Sequence, residues 1–141
     1  MVNVPANSLP SGQLATYCNL GPYPGQMNGL LEIQGKSESQ SLWALLFPYH
    51  LPVRSNEDLK IVWRMTGSGI FSVLAQYNRL IITPMWGPDA HGGSSWDRPG
   101  YEWGTGFNFP ESGCWHIVAT RGNDSGSIDL LVVDPLAIEI F

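Results

Sequence analysis

"FPESGCWHIVATRGNDSGSIDLLVV", residues 109–133, is the stretch on which the fold turns. Side chains of an extended chain point alternately to two faces. If Trp115 enters a core, Ile117 and Ala119 follow it, and Cys114, His116 and Val118 take the opposite face. A second apolar run, "SIDLLVV", follows "RGNDSG", a turn of the Asn/Asp/Gly kind. The stretch therefore predicts two antiparallel strands, entered through Phe109, Pro110 and Gly113.

Upstream the same signals repeat. "NGLLEIQG" at 28–35 and "SLWALLF" at 41–47 are short apolar runs on either side of a Ser-rich turn, the pattern of a hairpin. In "LKIVWRMTGSGIFSVLAQ" the residues Leu59, Ile61, Trp63 and Met65 alternate with Lys60, Val62 and Arg64, and Phe71, Val73 and Ala75 resume after glycines 67 and 69. This predicts another hairpin. "RLIIT" at 79–83 follows a Tyr-Asn turn. Pro and Gly punctuation makes residues 1–27 an extended N-terminal segment with one brief strand at Leu14–Cys18. Residues 84–104 show no apolar period and read as a loop. Pro135 and β-branched neighbours argue against a helix in "LLVVDPLAIEIF"; 134–141 is expected to be a C-terminal extension or an edge strand with Ile138 and Ile140 on one side. About eight strands at intervals of roughly 10 residues predict an all-β, antiparallel sandwich spanning 1–141 as a single domain.

Composition agrees. At 141 residues and 43% apolar content the chain can bury one core. Charged residues are 13% of the chain, against about 25% in an average soluble domain, and 16 Gly with 11 Pro favour turns and short strands. Seven basic residues against twelve acidic ones give a net charge of -5. The basic ones are scattered, which excludes a phosphate-binding stripe and with it nucleic acid as a partner. No window of about 18 apolar residues exists to span a membrane as a helix.

Cys114 would sit on the strand face opposite Trp115, with Cys18 as its available partner. A bridge between them would pin an N-terminal segment that has little apolar surface of its own, and would contribute about 4 kcal/mol in the chain-entropy model. Two unrelated buried thiols are the alternative. A nucleophile lacks a His and Asn/Asp pair beside it, and zinc would need more ligands than cluster here. A bridge implies an oxidising compartment, hence a secreted or cell-surface protein. The first eighteen residues lack the basic and apolar regions of a signal peptide, so that reading expects a signal or lipoprotein leader that this sequence does not carry.

"WR", a Gly-containing turn, "LIIT", a loop, "GTGFNFPESGCWHIVATRG" and "LLVV", preceded by an early Cys and the Trp-bearing "SLWALLF", resemble a family of uncharacterised bacterial secreted proteins and lipoproteins. Its members end in a similar Phe-Pro-x-x-Gly-Cys-Trp-x-Val pattern and look like immunoglobulin-type sandwiches. The resemblance spans 59–133 well and 18–47 less closely. It implies an immunoglobulin-like β-sandwich and supports pairing Cys18 with Cys114. It brings no catalytic activity. The chain departs from the pattern at His116, where an acidic residue is common, and in its longer aromatic loop.

That loop carries the functional expectation. Trp86, Trp96, Tyr101 and Trp103 lie in it with the carboxylates Asp89, Asp97 and Glu102. Pyranose rings stack on indoles while their hydroxyls need fixed acceptors, so the set suits a glycan; with Arg98 it equally suits a protein ligand. The competing reading folds the tryptophans over an open end of the sandwich as a lid. His50, His91 and His116 fall in separate segments with no metal-site spacing, and no catalytic residue, metal or cofactor is expected. The chain is thus expected to be a non-catalytic extracellular binding module. A self-associating structural subunit, a homo-oligomer or filament joined through its terminal strands, is the alternative. A small extracellular hydrolase comes third.

Overall fold

The computed structural model describes residue 18, residues 26–27, 30–92 and 94–135. Apart from Cys18, the strand expected at 14–18 lies outside the described residues, as do Ile138 and Ile140.

The chain is an all-β sandwich of two sheets. The first has the order β1 (Gln26–Met27), β2 (Leu30–Gln34), β3 (Leu42–Phe47), β5 (Asp58–Met65), β9 (Tyr101–Asn108), β8 (Trp86–Ala90). The second has the order β4 (Val53–Arg54), β11 (Asp124–Val133), β10 (Gly113–Arg121), β6 (Phe71–Tyr77), β7 (Leu80–Ile82). All pairs are antiparallel except the short β4–β11 contact, where Val53 and Arg54 run parallel to Val132 and Val133. Among the described residues no helix is long and apolar enough to cross a membrane.

The opening stretch behaves as its alternation requires. Trp115, Ile117 and Ala119 are buried, whereas Cys114, His116 and Val118 face outward. Phe109 and Trp115 pack at 5.2 Å between ring centres, and Phe107 stacks on Phe109 at 5.6 Å. From the first sheet Leu31, Ala44, Leu46, Ile61, Trp63 and Met65 complete the core. Two polar side chains that enter it satisfy each other: Trp63 Nε1 donates to Thr105 Oγ1 at 2.9 Å, and that hydroxyl donates to Ile61 O at 2.7 Å. Such pairing removes the cost of burying an unpaired donor.

Cys18 and Cys114 are joined in a disulfide, with Cα atoms 5.4 Å apart. Cys18 is buried against Leu131 and Val133 on the outer face of the five-stranded sheet. The bridge therefore fastens an N-terminal position to the back of the β10–β11 hairpin.

Three expectations are corrected. Residues 59–65 and 71–75 are not a hairpin: β5 and β6 belong to different sheets, and the glycines between them carry the chain across the core. Residues 84–104 are not one loop, because β8 and the start of β9 fall inside them. The described strands number eleven rather than about eight: the one expected at 14–18 lies outside the described residues, and β8, β9 and the two-residue β1 and β4 add four.

Candidate functional site

Alternation along β9 divides the aromatic stretch between two environments. Register sets Glu102 opposite Arg64, Gly104 opposite Val62 and Gly106 opposite Lys60, all on the outer face of the six-stranded sheet. Trp103, opposite Trp63, points between the sheets. There its ring stacks on Phe71 at 4.3 Å with an interplanar angle of 7°. Tyr101 follows on the same side at the end of the sandwich and is 70% exposed.

On the outer face, residues 94–100 fold back over the sheet. Trp96, only 3% exposed, lands on Leu45 and Val62, with Leu30, Trp43 and Phe47 around it. This second apolar cluster is the lid of the sequence reading, but it covers a sheet face and not an open end. Two carboxylates hold it down. Glu32, on β2, accepts from Trp96 Nε1 at 2.7 Å and takes a two-pronged pair from Arg98, Nε to Oε2 and Nη2 to Oε1, both 2.7 Å. The Arg98 guanidinium lies 3.9 Å from the Trp43 ring centre. Hydrogen bonding from Arg98 holds the Glu32 carboxyl below its ordinary value of 4.5, outweighing burial, which pushes it upward; the Trp96 bond and the Arg98 charge add to the lowering. The same bond raises Arg98.

Glu102 is the second anchor. It is buried, and accepts from Arg64 Nε at 3.0 Å and Ser94 Oγ at 2.6 Å, while His91 Nδ1 lies 2.6 Å from its other oxygen. Arg64 also donates to the carbonyls of Arg98 and Gly100 at 2.7 and 3.2 Å. Glu102 is therefore a clamp on the lid and is not available as a free acceptor for a ligand.

Trp86 has the opposite situation. Its indole covers Gly104 and Gly106; a Cβ at Gly106 would collide with the pyrrole ring, and one at Gly104 would come within 3.4 Å of the benzo ring. One face of the indole is seated on the backbone of β9, and Trp86 stays 42% exposed. Register continues the row: Lys60 stands opposite Gly106, and Phe47 opposite Lys60. Lys60 Nζ lies 4.9 Å from the Phe47 ring centre. On the same face Asn108 Nδ2 donates to Asp58 Oδ1 at 2.9 Å, which leaves the second oxygen of Asp58 and the carbonyl of the amide as acceptors.

The expected residues are thus not one row. Trp86 forms an open platform, Trp96 lies under the lid, Trp103 is half-buried between the sheets, and Tyr101 is exposed at the sandwich end. Asp89 and Asp97 are exposed on β8 and in the lid segment. Asp58, Lys60, Phe47 and Asn108 were outside the expected set; the signal that could have found them is Gly-Thr-Gly within a strand, two glycines on one face where a ring needs room. His50 and His116 pair with Glu57 and Asp129 at 3.0 and 2.8 Å. Among the described residues no three His, Cys, Asp or Glu side chains converge on a point that could hold a metal. No family model, curated protein or solved structure matches the chain.

Proposed function

We propose that this chain is a binding module that takes a saccharide on the outer face of its six-stranded sheet. The observation that carries the reading is the Trp86 indole, seated on Gly104 and Gly106 with its other face in solvent. A ring fixed in this way loses little freedom when a sugar stacks on it, so less of the contact energy is lost to ordering. From above β9 to Phe47 on β3 is two strand spacings, ~9.6 Å, comparable to the span of two linked pyranose rings. Lys60 and the Asp58–Asn108 pair offer a donor and acceptors beside the platform, which a ring's hydroxyls require. The disulfide supports an extracellular setting, where such bonds persist, and agrees with the secreted-family resemblance.

The test is a screen of polysaccharides and glycans against the wild-type chain and Trp86→Ala. A ligand that binds the wild type and is lost in the variant, with the melting temperature retained, supports the reading. A ligand bound equally by both, or a screen without any ligand, refutes it.

A further inference from the structure

At the end of the sandwich where β5 hands over to β6, a guanidinium is buried without a carboxylate. Arg121 is the last residue of β10, with its side chain between the sheets and only 6% exposed. Nη1 donates to Met65 O at 2.7 Å and Nε to Gly69 O at 3.4 Å. Nη2 has no hydrogen-bond partner among the described residues. The ring centres of Tyr101 and Trp103 each lie 4.9 Å from the guanidinium carbon.

The nearest carboxylate by register is Asp124, directly across the hairpin from Arg121. Its two oxygens accept instead from Ser39 Oγ and Gln40 Nε2, each at 2.9 Å. Arg121 forms no ion pair among the described residues. Taking a guanidinium out of water is costly unless its charge is answered, and here carbonyls and ring faces supply only neutral partners. The surroundings are open and apolar: Tyr101 is 70% exposed, and Ile70, next to the register partner Phe71, is 86% exposed.

We propose that Arg121, held between Tyr101 and Trp103, is a receptor for a carboxylate borne next to an apolar or ring-shaped group. Nη2 donates to the carboxylate, and Tyr101 packs against the remainder of the ligand. Charge-assisted bonds of this kind are roughly twice as strong as neutral ones, and the guanidinium is fixed before the ligand arrives. Because the inward side of β9 forms the site, it is separate from the Trp86 platform and does not depend on it. The carboxylate can come from a uronate sugar or from an acidic side chain of a peptide.

The experiment titrates isotopically labelled full chain with glucuronate and with N-acetylglutamate amide, each beside its neutral carboxamide, following the Trp103 indole N–H and the Arg121 Nε–H by NMR. Saturable shifts at both groups with a carboxylate probe, absent with its carboxamide, are the expected result; which probe saturates identifies the source. Replacement of Arg121 endangers folding, so the paired variant is Tyr101→Ala, expected to keep the wild-type melting temperature and bind several-fold more weakly. Absence of saturable shifts, equal shifts with the carboxamides, or undiminished binding by Tyr101→Ala would overturn the proposal.

Discussion

Trp86 and Trp96 belong to one glycine-rich stretch and have opposite physical roles, so the same truncation should have opposite consequences. Trp96→Ala removes the centre of the lid, uncovers Leu45 and Val62 and takes one of its two donors from Glu32 Oε2. Its expected cost is about 3–5 kcal/mol, as for large core truncations, read by denaturant unfolding. Trp86→Ala should cost about 1 kcal/mol or less. Gly106→Ala provides a sharper probe, because it leaves the indole in the chain but drives it off its seat. We expect glycan binding to fall with little change in stability, the loss of packing being offset by a stiffer unfolded chain. Glu32 gives the residue scale a pH dependence. Its folded carboxyl is held below 4.5, so the unfolded chain binds more protons in acid. The stabilisation is present above pH 4.5 and is lost as pH falls through the depressed folded value. Unfolding measured at a series of pH values should show an acid limb that is shallower in Glu32→Gln.

At the level of strands, what could be read from the sequence depended on whether local pattern and tertiary demand agreed. Strand β10 was legible because its apolar residues alternate and its turns carry Pro, Gly and Asn. Strand β9 was not, although it is paired on both sides, by β5 and β8: Gly104 and Gly106 imitate loop punctuation when their purpose is to make room for Trp86. The step from β5 to β6 was misread for a related reason, since glycines between two alternating runs look the same whether the chain returns in one sheet or crosses to the other. The lid was half legible. Its tryptophan was visible, but Glu32 is 64 residues away from Trp96 in sequence, and only folding brings them together. The disulfide was legible because two cysteines allow one pairing. Replacing both Cys18 and Cys114 with Ser should lower stability by about 2–5 kcal/mol, with the far-ultraviolet strand signal retained in the absence of denaturant. An unchanged unfolding midpoint would mean that the N-terminal anchor contributes nothing.

For the molecule as a whole, two layers of short strands leave one sheet face covered by a clamp of arginines and carboxylates and the other crossed by a disulfide. The low fraction of charged residues fits this use: Glu32, Arg64, Arg98 and Glu102 are committed internally. The distribution of the six tryptophans has an optical consequence. Trp63, Trp96 and Trp115 are buried, Trp43 and Trp103 are half-buried, and Trp86 is the one classed as exposed. Guanidinium groups already lie over the rings of Trp43 and Trp103. An aqueous quencher such as iodide should therefore reach Trp86 first and extinguish the red edge of the intrinsic fluorescence, while the blue emission of the interior persists. The protein carries its own lamp at the platform, and a bound sugar would shade it from the quencher without any label being attached.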